Sequence, residues 1–239
     1  MNILSIGNSF SQDAQRYLHQ IARAGGIDVT CVNLYIGGCS LAQHAENLRA
    51  DTKAYSMELN GVSSGFYVSI REALESRDWD IVTMQQVSHD SNDYSTYQPY
   101  LAELAAYVKQ YAPNAEQVLH ETWFYEQDSE LLCGKMGYKN WEDMYRDIES
   151  AYTEAAKSLG NCRIIPSGKA LAEAVKAGIS VHRDTFHARL GFGRYILGLC
   201  WYKTLCDGNV DTNPFCDFDE VVSNEEIEIA KKSVLSAKL

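Results

Sequence analysis

Short apolar runs alternate along the chain with segments in which apolar residues recur every three or four positions. The short runs, which predict strands, lie at 2–6, 29–35, 81–85, 117–122 and 163–166. The periodic segments, which predict helices, lie at about 13–24, 69–76, 97–111, 141–159, 169–177, 191–206 and 224–236. This alternation predicts an α/β fold with three layers (α/β/α) around a five-stranded parallel sheet. Such sheets commonly have the flavodoxin-like strand order 2-1-3-4-5, and they bind ligands beyond the carboxyl ends of the strands, where the winding reverses.

The segment 55–67 does not follow this alternation. Its polar and apolar residues interleave around Asn60 and Gly61, a pair that favours a tight turn between antiparallel strands. We interpret the segment as a hairpin inserted into a single domain that spans residues 1–239, since α/β domains of this length are common.

Composition and charge narrow the classes of partner. The chain has 21 basic and 32 acidic residues and a formal net charge of −11, which repels phosphate backbones and anionic lipid headgroups. We therefore expect no nucleic-acid partner and no membrane partner, and we find no apolar run near the ~20 residues that a membrane span needs. No basic and apolar leader opens the sequence, which favours a cytoplasmic location. The seven cysteines are odd in number and include no Cys-x-x-Cys pair, which argues against a disulfide framework and a thiolate zinc site.

Three predicted strands end in unusual connections, at residues 7–11, 37–40 and 85–88. In the predicted strand order these ends meet at one edge of the sheet. Ser9 follows a glycine at a strand-to-helix turn, where a serine hydroxyl can be exposed as a nucleophile beside backbone N–H groups. The glycine pair at 37–38 allows a second backbone N–H to approach closely, and an amide side chain at the third strand end would add a neutral donor. Such donors together suit an oxyanion hole.

A serine hydroxyl at neutral pH needs a general base, and the base needs a group that orients it. Asp184 lies three residues before His187. Its carboxylate can accept a hydrogen bond from one ring nitrogen while the other nitrogen faces a serine. The sequence therefore predicts a site whose residues follow the chain order Ser9, Asp184, His187.

These motifs resemble the conserved blocks of the SGNH (GDSL) hydrolase superfamily. Residues 7–11 are similar to its first block and the glycine turn at 37–38 resembles its second. Asp184-x-x-His187, with Gly191 after it, resembles its last block. The resemblance covers almost the whole chain, and it implies a three-layer fold, serine esterase chemistry, no metal and no other cofactor.

The resemblance also assigns roles to individual residues. It makes Ser9 the nucleophile, His187 the base and Asp184 its partner, and it makes the N–H groups of Ser9 and Gly38 oxyanion donors. Asn8 stands where many members of the superfamily have aspartate, and we expect it to border the pocket.

The third block departs from the common pattern of the superfamily. Residues 83–88 read Thr-Met-Gln-Gln-Val-Ser where Gly-x-Asn-Asp is usual, which resembles most closely an uncharacterised bacterial branch with a glutamine in this block. We expect Gln85 to supply the side-chain donor of the oxyanion hole, with Gln86 and His89 as the next candidates. His44, which follows the glycine turn, is a further candidate for the pocket.

Each motif also has a second interpretation. Ser9 could cap the first helix, and Asp184 could cap a turn beside a histidine with a purely structural role. His182, Asp184 and His187 could bind a divalent metal, although three ligands bunched in one loop, with no acidic cluster elsewhere, disfavour such a site. A catalytically inactive carbohydrate-binding or scaffold module on the same fold is the alternative function.

Aromatic residues follow two of the strand ends. Three tyrosines lie within 94–100 and residues 123–125 read Trp-Phe-Tyr. Aromatic faces beside polar groups suit sugar rings, and aromatics also simply pack loops. We expect a small-molecule or carbohydrate ester as substrate, such as an O-acetylated sugar, and the sequence leaves the oligomeric state open.

Overall fold

A seven-stranded sheet forms the centre of the protein in the computed structural model, which describes residues 1–237. In chain order its strands are β1 (Asn2–Gly7), β2 (Thr30–Tyr35), β3 (Tyr55–Leu59), β4 (Val62–Val68), β5 (Ile81–Met84), β6 (Glu116–His120) and β7 (Ile164–Ile165). Across the sheet they follow the order β4-β3-β2-β1-β5-β6-β7. The apolar side chains of β1 are fully buried because this central strand is covered on both faces.

Five strands run parallel in the order β2-β1-β5-β6-β7, which confirms the predicted α/β fold and its order 2-1-3-4-5. The sheet has seven strands rather than the five predicted. The two additional strands, β3 and β4, form the hairpin around Asn60 and Gly61, and β3 pairs antiparallel with β2. A hairpin can extend the sheet in this way because the edge of β2 offers backbone groups that need partners.

Nine α-helices surround the sheet within residues 1–237. They are α1 (Ser9–Gln15), α2 (Leu18–Ala24), α3 (Leu41–Ala50), α4 (Ile70–Glu75), α5 (Tyr100–Tyr111), α6 (Trp141–Ser158), α7 (Ser167–Lys176), α8 (Phe192–Cys206) and α9 (Asn224–Ser236). The predicted helix at 13–24 is two helices, and its first turn begins at Ser9 because Asn8 caps it. Helix α3 was not predicted, although Ser40 caps its start and its buried residues recur at helical spacing.

The helices form one layer on each face of the sheet. Helices α1, α2, α7, α8 and α9 pack together on one face, and α3, α4, α5 and α6 cover the other. Helix α8 is apolar almost all round, and it is buried because the sheet and four other helices surround it. Within residues 1–237, no helix has both the length and the apolar character needed to cross a bilayer.

The register of the parallel strands brings three connections to one edge of the sheet. Gly7 of β1 lies beside Tyr35 of β2, and Ile6 lies beside Met84 of β5. The loops that follow these strands therefore begin side by side, at the place where the winding of the sheet reverses.

Candidate active site

Ser9 occupies the first turn of α1, directly after β1. The side chain of Asn8 accepts the N–H of Phe10 at 3.0 Å, so Asn8, and not Ser9, caps the helix. A Cβ at Gly7 would overlap the hydroxyl of Ser11, which accepts the N–H of Asn8 at 3.1 Å. The turn therefore needs glycine at position 7, and it leaves Ser9 at the wall of a cavity.

His187 and Asp184 lie in the loop between α7 and α8. The Nε2 atom of His187 is 2.9 Å from the Oγ atom of Ser9, and its Nδ1 atom is 2.8 Å from Oδ2 of Asp184. A carboxylate accepts at Nδ1, so the ring carries its proton there and Nε2 is the acceptor for the serine hydroxyl. Both distances lie within the reach of a nucleophile, a base and its orienting group.

Asp184 also holds the backbone of its own loop. Its Oδ1 atom accepts the N–H groups of Phe186 and His187 at 3.0 and 2.7 Å. Burial raises the pKa of Asp184, but these two N–H groups and the imidazole of His187 outweigh it and lower the pKa to about 2. The carboxylate is therefore ionised at neutral pH, in the state that orients an imidazole and stabilises an imidazolium.

A second carboxylate, which the sequence reasoning missed, ties this loop to α1. Asp13 is fully buried and accepts the N–H of Ala188 at 3.2 Å. Its oxygens also bind the guanidinium groups of Arg183 and Arg194, each at 2.8 Å. Asp13 follows Ser9 by one helical turn, so one face of α1 carries the serine and also anchors the neighbour of His187. An aspartate on the apolar face of a predicted helix was the signal for this role.

Trp123 also supports the loop. Its indole N–H donates to the carbonyl of Phe186 at 2.7 Å, and its ring stacks on Phe10 at 3.9 Å between centroids. The ring of Phe186 in turn lies 3.9 Å from the imidazole of His187. The aromatic run at 123–125 therefore packs the site as well as bordering it, since Tyr125 alone of the three lines the cavity.

The cavity has a volume of about 570 Å³, within the usual range for sites that bind small molecules. Its lining includes Ser9, His187 and Gly38. Five apolar or aromatic residues also line it, namely Val87, Tyr125, Leu131, Met136 and Phe186. Gly38 adopts a φ of +63°, a conformation that favours glycine, and its backbone reaches the cavity without a side chain in the way. Leu131 and Met136 carried no sequence signal, because they lie in an irregular loop.

Gln85 does not point into this cavity, which differs from the prediction that it supplies an oxyanion donor. Its amide nitrogen donates to Oδ1 of Asn8 at 2.8 Å, and its oxygen accepts from Nδ1 of His120 at 2.9 Å. Asn8 continues the chain of hydrogen bonds, since its own nitrogen donates to the carbonyl of Cys39 at 3.0 Å. Gln85 is therefore a positioning residue: it links the loops after β1, β2 and β5 through Asn8.

Replacing Gln85 with methionine is expected to destabilise the protein more than it slows the ester hydrolysis that the sequence predicts. The variant leaves the buried N–H of His120 without an acceptor, which costs about 1–3 kcal/mol and roughly 2–10 °C in Tm. The turnover number per folded molecule should fall by much less than the ~10²–10³ that loss of an oxyanion donor costs. Thermal denaturation and ester kinetics on the same samples check both parts. A hundredfold loss of kcat at an unchanged Tm would contradict the positioning role.

The remaining pocket candidates divide into two groups. Asn8 and His89 line the cavity, and His89 is exposed. The amide of Gln86 is buried among backbone groups, where its oxygen accepts the N–H of Leu41 at 2.9 Å. His44 is fully buried against Tyr55, and its Nδ1 atom lies 2.8 Å from the hydroxyl of Tyr55. Neither Gln86 nor His44 lines the cavity, which differs from the prediction that both border the pocket.

The alternative of a metal site finds no support in the donor set. His182 is buried, its Nε2–H donates to the carbonyl of Phe124 at 3.1 Å, and it lines a different cavity from His187. Across residues 1–237, no three histidine, cysteine, aspartate or glutamate side chains group in a way that could hold a metal ion.

Comparisons with known proteins place the chain in a family and a superfamily. The model of the family described as "Domain of unknown function (DUF4886)" matches residues 2–237. No curated protein matches the chain. A DUF4886 family protein from Bacteroides uniformis is 33% identical, with a TM-score of 0.91 over 98% of this chain and 93% of that one.

More distant structures share the fold. A protein described as an SGNH hydrolase, from Slackia heliotrinireducens, is 25% identical, with a TM-score of 0.61 over 86% of this chain and 98% of that one. An acetylxylan esterase from Geobacillus stearothermophilus is 16% identical, with a TM-score of 0.51 over 85% of this chain and 93% of that one. The predicted resemblance to SGNH hydrolases is therefore confirmed. With its family model matched along almost the whole chain, the protein belongs to the DUF4886 family, on the fold of the SGNH hydrolases.

Proposed function

We propose that the protein is a serine esterase in which Ser9 is the nucleophile, His187 the general base and Asp184 the group that orients the base. The observation that carries the proposal is the unbroken chain of hydrogen bonds from Oγ of Ser9 through the imidazole to the carboxylate, with distances of 2.9 and 2.8 Å. It supports chemistry because the chain ends at the wall of a cavity that can hold a substrate.

The proposed reaction has two halves. Nε2 of His187 takes the proton of Ser9 as Oγ attacks the acyl carbon, and the N–H groups of Ser9 and Gly38 stabilise the oxyanion that forms. The imidazolium then gives this proton to the departing alcohol, which leaves an acyl group on Ser9. In the second half His187 removes a proton from water as the water oxygen attacks the acyl carbon. The imidazolium then returns this proton to Oγ of Ser9 as the bond between Oγ and the acyl carbon breaks, and the carboxylic acid leaves.

The proposed substrate is a small acyl ester of a carbohydrate. Three rings that suit stacking on a sugar, those of Tyr35, Tyr125 and Phe186, line the cavity beside Ser9. The Geobacillus stearothermophilus protein with this fold is an acetylxylan esterase, which favours the same class. An inactive carbohydrate-binding module on the same fold is the competing proposal, and the 2.9 Å separation of Oγ and Nε2 favours catalysis over it.

A fluorophosphonate probe tests the proposal directly. The probe is expected to add one phosphonyl group to Ser9, because only a serine activated by a neighbouring base reacts at an appreciable rate. Mass spectrometry of the digested protein locates the adduct. The Ser88→Ala variant is a matched control, because Ser88 also lines the cavity but bonds to the hydroxyl of Tyr125 at 2.9 Å. Labelling must persist in this variant and disappear in Ser9→Ala. An unlabelled wild-type protein would support the binding module instead.

A further inference from the structure

The charge of the cavity is opposite in sign to the charge of the chain. The chain carries a formal net charge of −11, yet no aspartate or glutamate lines the cavity within residues 1–237. Among the described residues, the lining has a single permanently charged side chain, that of Lys135, and its other titratable groups are two histidines and two tyrosines. An anion that enters this cavity therefore meets no carboxylate on its walls and one ammonium group.

Lys135 is held at the rim of the cavity by an anchored segment. It ends the π-helical turn Leu131–Lys135, whose Leu132 is fully buried. The N–H of Met136 donates to the carbonyl of Leu131 at 3.0 Å, and this closes the turn. The next residues are fixed by Tyr138, which donates to a carboxylate oxygen of Asp147 at 2.8 Å. These contacts hold the backbone of the turn in place beside the cavity.

The ammonium group of Lys135 is available to a ligand. Other cations form the ion pairs described for residues 1–237, and Lys135 has no carboxylate within 4.0 Å in that range. Glu130, an acidic residue of the same loop, has its carboxylate packed against Gly134 and does not line the cavity. Within the part of the chain that the structure describes, Lys135 is therefore the one side chain of the lining that attracts an anion strongly.

We propose that the ester substrate carries a negatively charged group, such as the carboxylate of an acidic sugar, that Lys135 binds. This inference rests on the proposed esterase function and names the substrate class of that site. Ser9 then attacks the acyl carbon of the ester. The apolar lining residues, among them Val87 and Phe186, contact the neutral part of the substrate, and Lys135 pairs with the anion at the rim. In a partly desolvated cavity such a pair is worth about a tenfold preference in kcat/KM.

Matched pairs of esters that differ in one charge test this inference. The first pair is 3-acetoxybenzoate and 3-acetoxybenzamide, which place the charge or its neutral equivalent on the alcohol. The second is the 4-nitrophenyl esters of glutarate and of glutaramate, which place it on the acyl group. Wild-type protein is expected to prefer the anionic member of at least one pair by about tenfold at low salt, and the preference should shrink as salt screens it.

Two variants test whether Lys135 causes the preference for the anionic ester. Lys135→Gln should abolish the preference, so that kcat/KM for the anionic ester falls about tenfold relative to kcat/KM for its neutral partner. Lys139→Gln is the matched control, because Lys139 is exposed in the same loop but does not line the cavity, and it should keep the wild-type preference. Equal rates for charged and neutral esters in both pairs, or a preference that survives in Lys135→Gln, would overturn the inference and leave the esterase function intact. If the protein hydrolyses none of the four esters, the proposed function is overturned and this inference with it.

Discussion

Replacing Ser9 with alanine is expected to lower kcat/KM for short-chain aryl esters by about 10⁴- to 10⁶-fold, because the variant has no atom that can form the acyl-enzyme. The remaining rate would come from the cavity and the backbone N–H groups alone. The folded state should be almost unaffected, since the hydroxyl of Ser9 makes one side-chain hydrogen bond, to His187 at 2.9 Å, at a partly buried site.

Initial rates with 4-nitrophenyl acetate, measured after chromatography that removes traces of contaminating esterase, check this expectation. Ser88→Ala again serves as the control, because it removes a hydroxyl from the same cavity without touching the imidazole. Comparable rates for wild type and Ser9→Ala would exclude Ser9 as the nucleophile.

Replacing Asp184 with asparagine is expected to lower kcat by up to ~10⁴-fold, the loss seen for this change in a well-studied serine protease. An asparagine oxygen can still accept the N–H groups of Phe186 and His187, so the loop should keep its shape. The second position, 2.8 Å from Nδ1 of His187, would then carry an NH₂ group. The ring would have to move its proton to Nε2 to avoid two facing donors, and Nε2 could no longer accept the proton of Ser9.

The pH dependence of this rate deficit follows from the charge state of the carboxylate. Since the pKa of Asp184 is lowered from 3.8 to about 2, its carboxylate is ionised at every pH above about 4. The rate deficit of Asp184→Asn should therefore be present throughout pH 5–8. The stability that the ionised carboxylate gives the wild type is also complete above about pH 4, and it is lost only as pH falls towards 2. Wild-type rates in a well-folded Asp184→Asn protein would remove Asp184 from the reaction.

The parallel part of the fold could be predicted because local pattern and global arrangement agree. Each parallel strand is a short apolar run, and a helix of sufficient length separates it from the next. The strand order then follows from common topology. The place of the hairpin β3–β4 could not be predicted in the same way, since its many exposed residues carry no signal of the edge on which it lies.

Helix α3 shows a second limit of pattern. Its buried positions include the polar residue His44, and its other positions are mostly polar. The periodicity of apolar residues alone therefore gives a weak signal for this helix. The helix forms because its buried residues contact α5 and because Ser40 caps its first turn. The cap is a local signal in the sequence, whereas the contact with α5 is visible only when distant parts of the chain are placed together.

In the candidate site, too, some residues could be predicted from the sequence and others could not. Ser9, Asp184 and His187 could be named because their chemistry needs particular residue types in a particular order. The orientation of Gln85 could not, because an amide at a strand end can face the cavity or the interior. Its partners decide the matter, and these are Asn8 and His120, 77 and 35 residues away along the chain.

The pairing of Ser9 with His187 spans 178 residues, and Asp13 reaches Arg194 across 181. Closing a loop of that size is entropically costly, so it becomes favourable only when the strands and helices in between already hold the two segments near each other. A chain in which most of the sheet has formed but these contacts have not would therefore show none of the proposed ester hydrolysis. Turnover of a fluorogenic ester would thus report the arrival of the last long-range contacts, whereas helical circular dichroism reports the earlier, local ones.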